Sequence, residues 1–239
     1  FWLKLKPSGS GHCGSRECGC FFAGWILQRH SAARAEQMAF APKRNAPATR
    51  PKQPDGRRAE QMSVWSEMAA KLPVQKTPED RQKRVKLFRQ FDPNDNKYLS
   101  LAEVDRGIVQ ILRIKALADA KPAIMRAFQA AKSLNTKKGC PSVGDDYIDW
   151  CEFRLLLCYL RDYFELHVMF KRIDGGDGRI DETEFARSAD TLREWGAKIK
   201  DPATTFKAID QNGGGQILFD EFCEWAIQQK LVLEEADDN

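Results

Sequence analysis

Between Asp92 and Glu103 the chain sets Asp92, Asn94, Asn96, Ser100 and Glu103 at positions 1, 3, 5, 9 and 12 of a twelve-residue window. Carboxylate, amide and carbonyl oxygens are hard donors. At that spacing, with the main-chain carbonyl of position 7, they suit a hard divalent cation such as Ca2+, which takes six to eight oxygens. Tyr98 supplies the position 7 carbonyl and Leu99 the apolar position 8. Position 6 needs a positive φ and normally holds glycine; Lys97 stands there, at an expected cost of about 1 kcal/mol. A second window, residues 210–221, places Asp210 at 1, Asn212 at 3, Gly215 at 6, the Gln216 carbonyl at 7, Ile217 at 8 and Glu221 at 12. Its Gly214 at position 5 and Leu218 at position 9 offer no side-chain oxygen.

Two further stretches keep the frame with fewer ligands. Read back from Glu184 as position 12, "DGGDGRIDETEF" has Ile180 at 8, Gly178 at 6 and Asp177 at 5, but Ile173 falls at 1 and Asp174 one place later. The loop is one residue short. Asp174, Asp177, Asp181 and Glu184 form a weaker candidate ligand set, and with the spacing disturbed Asp174 and Asp177 are expected to be solvated. In "PSVGDDYIDWCEF", Ile148, Asp149 and Glu152 hold positions 8, 9 and 12, while Pro141 and Val143 occupy 1 and 3. The four loops start near 92, 141, 174 and 210, and each ends in Glu-Val or Glu-Phe leading into a helical pattern. Repetition at intervals of 49, 33 and 36 residues identifies EF-hands. The position 8 residues are expected to pair across adjacent loops, Leu99 with Ile148 and Ile180 with Ile217, which would bury Ile180 and hold each pair of hands together without an ion.

The elements that must position these loops are helical. "SVWSEMAAKLP" reads as a short amphipathic helix stopped by Pro73, with order beginning near Trp65. Thr77 as cap, Pro78 at the first position and Glu79 and Asp80 in the first turn start the next helix. A helix then follows the first loop to about 114, and another spans about 121–133. Residues 151–173 form a 23-residue apolar run without Pro or Gly, broken by Arg154, Arg161, Asp162, Glu165 and His167. It reads as an interior helix between two loop-bearing halves rather than a membrane span. Beyond it, helices are expected to Trp195, over about 202–209, and to about 233. No stretch alternates long enough for an extended sheet. The fold class is mainly α, with four EF-hands in two pairs, two lobes joined by a long helix. The expected division is a basic Pro/Ala-rich N-terminal extension over 1–62, a first pair over 63–158 and a second over 159–239.

The chain has 239 residues and a net charge of +4. Residues 1–62 carry 11 Lys/Arg against 4 Asp/Glu, and the remainder 27 against 30, so a basic arm precedes a mildly acidic body. Rich in Pro and positive charge, the arm is expected to lack a core of its own. An anionic membrane surface or an acidic protein face would suit it. Nucleic acid is disfavoured because no aromatic residues alternate with its basic ones. Residue 1 is Phe and "RAEQM" occurs twice, so Met38 or Met62 is expected as initiator, and residues 1–37 need not be native. "CFFAGWIL" (20–27) is too short to span a membrane. "CGSRECGC" (13–20) with His12 matches no common zinc spacing. Cys140, Cys151, Cys158 and Cys223, scattered through the body with three of them inside helical patterns, are expected as reduced thiols in a cytosolic type of compartment.

"FRLLLCYLRDYFELHVMF", "LREWGAKIKDPATTFKAID" and "FDEFCEWA", within residues 63–233, resemble the calflagins, flagellar calcium-binding proteins of flagellate protists. The resemblance implies four EF-hands in two pairs, calcium sensing, and a flagellar location at the membrane through N-terminal myristoyl and palmitoyl groups. It also implies reliance on the third and fourth hands for calcium. Here the third is shortened, the fourth lacks two side-chain ligands, and the first is the best preserved. Gly11, Cys13 and Ser15 stand in an order that suits dual acylation, but no Met precedes them, and neither Met38-Ala nor Met62-Ser offers a glycine.

The expected function is calcium binding by a sensor in which the ion draws Glu103 or Glu221 inward, swings the following helix and exposes apolar surface to a protein partner. With two carboxylates in its first loop, the affinity should be roughly 10⁻⁵ to 10⁻⁴ M. The alternative is a structural adaptor in a larger assembly such as an axoneme, built on mostly degenerate hands. An enzyme is not expected. His12, His30 and His167 form no triad pattern, no phosphate loop occurs, and His167 reads as a packed residue on the long helix.

Overall fold

The computed structural model describes residues 56–132 and 146–231, with side chains from Ser63 onward. Residues 1–55, with both cysteine- and apolar-rich stretches, His12, His30 and the acylation motif, lie outside the described residues, as do Cys140 and positions 1–5 of the second loop.

Helix α1 runs Gly56–Lys71, starting well before the expected Trp65 and inside the stretch assigned to the arm. Between Pro54 and Pro73 no proline interrupts, and Arg57 to Met62 are all good helix formers. Helix α2, Pro78–Phe91, begins as its sequence signals require: Thr77 Oγ1 accepts the Asp80 N–H at 3.2 Å. After the first loop, α3 (Leu101–Arg106) continues as a π-helical turn, Gly107–Leu112, which ends at Arg113 in a left-handed conformation. The sequence suggested one uninterrupted helix. Gly107 lies on the Phe91 ring, and a Cβ there would stand 2.6 Å from it, so only glycine lets the two helices approach so closely.

Helices α4 (Lys115–Asp119) and α5 (Lys121–Lys132) lead to α6, Trp150–Ile173, the long interior helix. α5 packs along α6 through Ile124, Ala127, Phe128 and Ala131, all buried. α6 serves both halves. Phe153 near its start meets Phe88 and Phe91 edge-on, at 5.1 and 5.7 Å between ring centres. Phe170 near its end meets Phe219 and Phe222, both at 5.5 Å. The boundary expected between 158 and 159 therefore falls inside one unbroken helix.

The second half runs β1 (Ile180–Asp181), α7 (Glu182–Arg187), α8 (Ala189–Glu194), α9 (Pro202–Ile209), β2 (Gln216–Ile217) and α10 (Phe219–Gln229). A break at Ser188 divides the single helix expected up to Trp195. α10 ends at Gln229, short of 233, where Lys230 turns left-handed. The position 8 pairing is as expected. β1 and β2 pair antiparallel with Ile180 opposite Ile217, and Leu99 bridges Ile148 with both backbone hydrogen bonds at 2.9 Å. All four side chains are fully buried. So are the residues that follow each position 12 glutamate, Val104, Phe153, Phe185 and Phe222.

The halves also touch away from α6. Arg126 on α5 reaches Asp220 at 3.3 Å and Glu224 at 3.4 Å on α10. Among the described residues no helix is long and apolar enough to cross a membrane. Cys158 and Cys223 are buried free thiols, as expected. Cys151 is not: it is disulfide-bonded. Burial raises both free thiols, Cys158 to about 11, so neither is a reactive thiolate at neutral pH.

Candidate metal centres

In the first loop Asp92 caps α2, its N–H bonding the Phe88 carbonyl at 3.0 Å. Its carboxylate is buried and turned into the loop: Oδ1 accepts Asn96 N–H at 3.1 Å and Oδ2 accepts Lys97 N–H at 2.8 Å. Asn94 Oδ1 accepts Asn96 N–H at 3.1 Å and Asn96 Oδ1 accepts Tyr98 N–H at 2.8 Å. The side chains at 1, 3 and 5 thus wind the backbone around themselves. Lys97 takes φ 72, the strained value foreseen from its position, and Asp95 takes φ 56. At the far end Glu103 is held twice. Asn94 Nδ2 donates to its Oε1 at 3.0 Å, and Ser100 donates to its Oε2 from N and Oγ, each at 2.9 Å. Ser100 Oγ also caps α3 by accepting Glu103 N–H at 3.3 Å. That bond occupies the position 9 hydroxyl, and a water fills such a place in many loops of this kind.

The fourth loop repeats the scheme. Asp210 caps α9 onto the Phe206 carbonyl at 2.9 Å and accepts Gly214 N–H at 3.0 Å and Gly215 N–H at 2.8 Å, one on each oxygen. Asn212 Nδ2 donates to Glu221 Oε1 at 2.8 Å, and Leu218 N–H donates to Oε2 at 2.9 Å. Gly213 and Gly215, at φ 68 and 72, reproduce Asp95 and Lys97 without their strain. Leu218 has no acceptor, so only half of the capping box exists here. The Gln216 side chain accepts Arg179 Nη1 at 2.8 Å, leaving its carbonyl as the candidate ligand. Both loops fit a hard cation: every polar group aimed inward is an oxygen or supports one. Asp92, Asn94, Asn96, the Tyr98 carbonyl and Glu103 would hold it in the first; Asp210, Asn212, the Gln216 carbonyl and Glu221 would in the fourth.

The third loop corrects two expectations. Asp174 is not solvated. It caps α6 onto the Phe170 carbonyl at 2.9 Å, as Asp92 and Asp210 cap their helices, and its side chain is fully buried. Position 1 is Asp174, where the loop was expected to start, because α6 ends at Ile173 and Asp174 is its cap. The missing residue lies between Asp174 and Gly178. Both inward amides, Gly176 N–H at 2.7 Å and Gly178 N–H at 3.1 Å, fall on Oδ1, and Lys171 Nζ takes Oδ2 at 2.7 Å. Burial pushes this carboxyl's pKa up, but the Lys171 ammonium and the two amides outweigh it and leave it below the usual aspartate range. Nor do the four acidic residues gather. Asp177 accepts Arg179 N–H at 2.9 Å, and Asp181 and Glu184 cap α7 reciprocally at 2.7 and 3.0 Å. Among the described residues no three His, Cys, Asp or Glu side chains come together as a metal group.

The described end of the second loop keeps the Asp149–Glu152 capping box at 3.0 and 3.1 Å. Burial first, then the neighbouring Asp149 charge, raise the Glu152 carboxyl against the pull of the Asp149 amide.

These loops and helices match known proteins along nearly all of the described chain. A family model for the FCaBP EF-hand domain matches residues 68–160, and one for an EF-hand domain pair matches 163–227. The flagellar calcium-binding protein of Trypanosoma cruzi is 39% identical over 180 residues, 73% of this chain and 83% of that protein. The chain belongs to the flagellar calcium-binding protein family. Other members similar to it are TB-1.7G and TB-24 of Trypanosoma brucei brucei. Each is 40% identical, over 75% and 73% of this chain and 80% and 81% of theirs. The two family models meet inside α6, the helix that both EF-hand pairs share.

Sequence reasoning missed Lys171, whose signal was a basic residue three places before an aspartate at a helix end. It also missed Arg126, which no local pattern marks.

Proposed function

We propose that this family member is a calcium-binding regulatory protein of the flagellum that takes up ions at its first and fourth loops. The relatives' names carry calcium binding and the flagellum. The observation that selects these two loops is the cross-loop bond from Asn94 and Asn212 to the terminal glutamates, which ties position 3 to position 12 in both. Calcium would replace those amide bonds with carboxylate ligation at Glu103 and Glu221. α10, which holds Glu221 in its first turn, carries Phe219 and Phe222 on α6 and Asp220 and Glu224 on Arg126, so its movement would reach both halves. The partner would be a protein that meets apolar surface freed by that movement, with the basic arm available for an acidic face or an anionic membrane. A structural adaptor is the second reading. It is favoured by the second and third hands, whose packing and pairing hold without ligand geometry. Calcium calorimetry on the full chain separates the two. A sensor takes up two ions, Glu103→Gln and Glu221→Gln each removing one; an adaptor gives no heat.

A further inference from the structure

We propose that Lys171 is the resident cation of the third loop: its ammonium neutralises the sealed Asp174 carboxylate and so sets this loop's indifference to calcium. The inference rests on the reading that ions belong to the first and fourth loops. All three described loop-entering helices carry a basic residue three places before the position 1 aspartate: Arg89, Lys171 and Lys207. A helix C-terminus favours positive charge, so the shared position alone explains nothing about the third loop. What differs is the use made of it. Among the described residues Asp92 and Asp210 form no ion pair, whereas Lys171 lies 2.7 Å from Asp174 Oδ2.

The shortened backbone is the cause. In the first and fourth loops two amides share the aspartate, one on each oxygen. In the third both fall on Oδ1, and Oδ2 is left with no backbone donor. A fully buried carboxylate oxygen needs a donor, and a cation satisfies it best. The Lys171 side chain is 46% exposed and the Asp174 side chain is sealed, so the ammonium reaches the buried oxygen from the solvent side. No position 3 amide exists to bridge to Glu184, whose Oε1 lies so close to Gly175 that a Cβ there would collide with it. One lysine thus supplies the positive charge that the other loops would draw from solution.

The test uses the full chain carrying Glu103→Gln and Glu221→Gln, which silence the other two loops, with melting followed in chelator and in excess calcium. That chain is expected to melt at one temperature in both. Adding Lys171→Met should lower the melting temperature in chelator and make it rise by several degrees with calcium; Lys171→Arg should restore the indifference. If Lys171→Met does not fold, calcium calorimetry of Lys171→Gln in the same background reads the same gain. A Lys171→Met or Lys171→Gln chain that folds and ignores calcium overturns the proposal. So does a calcium response in the silenced chain that Glu184→Gln abolishes, since the loop would then bind with Lys171 in place. Failure of the first and fourth loops to take up calcium appears separately, in the unsubstituted chain.

Discussion

Leu99 and Ile148 exchange both backbone hydrogen bonds at 2.9 Å, and both side chains are fully buried, although the loop around Ile148 has Pro141 and Val143 where ligands belong. A hand without ligands is therefore still half of a pair. Ile148→Ala should cost about 2–5 kcal/mol, the range for truncating a buried isoleucine. It should also weaken calcium uptake at the first loop, because Leu99 sits four residues before Glu103. Urea unfolding with calorimetry checks both. A variant that loses stability but binds calcium unchanged would show that the bridge is only a prop.

Lys97→Gly replaces a side chain held at φ 72 by the residue suited to that backbone. It also frees Asp95 from its exposed ion pair with Lys97, a contact worth little. The chain should gain about 0.5–1 kcal/mol in stability, the glycine's added freedom in the unfolded state offsetting part of the relieved strain. Calcium should bind several-fold more tightly once the positive charge leaves the loop. Destabilisation by this change would mean that the Lys97 conformation carries no strain.

Asp174→Ala removes the acceptor of Gly176 and Gly178 N–H and strands Lys171. The expected loss is about 1–3 kcal/mol, the cost of leaving buried donors unpaired, and it should be equal with and without calcium. Thermal melts in the two conditions decide. A loss confined to calcium-loaded samples would identify the loop as a working site.

His167 lies half-buried on α6 with its ring 5.5 Å from Phe219. Burial, reinforced by the Lys171 charge and opposed by Asp174, holds its pKa below the usual imidazole value. Its proton therefore binds the unfolded chain more readily. Stability should fall as pH drops from the unfolded value of about 6.5 toward the lower folded value, and level off below it. His167→Gln should remove that part of the slope in urea unfolding between neutral and mildly acid pH. An unchanged slope would place the titration elsewhere.

Local spacing settled a large part of this protein. Asp92 and Glu103, or Asp210 and Glu221, lie within one loop, and a capping box such as Asp149–Glu152 spans three residues, so chain connectivity alone brings the partners together. The position 8 pairs were legible because the repeat places one apolar residue at the same point in each loop, and such residues bury best against each other. The α1 start at Gly56 was missed because helix formers carry no stop signal while the surrounding composition reads as a linker. Only the tertiary structure decided whether Asp174 faces solvent. That depends on where α6 ends and on which oxygen each amide reaches, and a one-residue deletion in a loop does not reveal either. It also decided the place of Gly107 against Phe91 and of Arg126 against Glu224, 98 residues away. Such contacts belong to helix surfaces that meet only after packing, and no window of neighbouring residues encodes which surfaces meet.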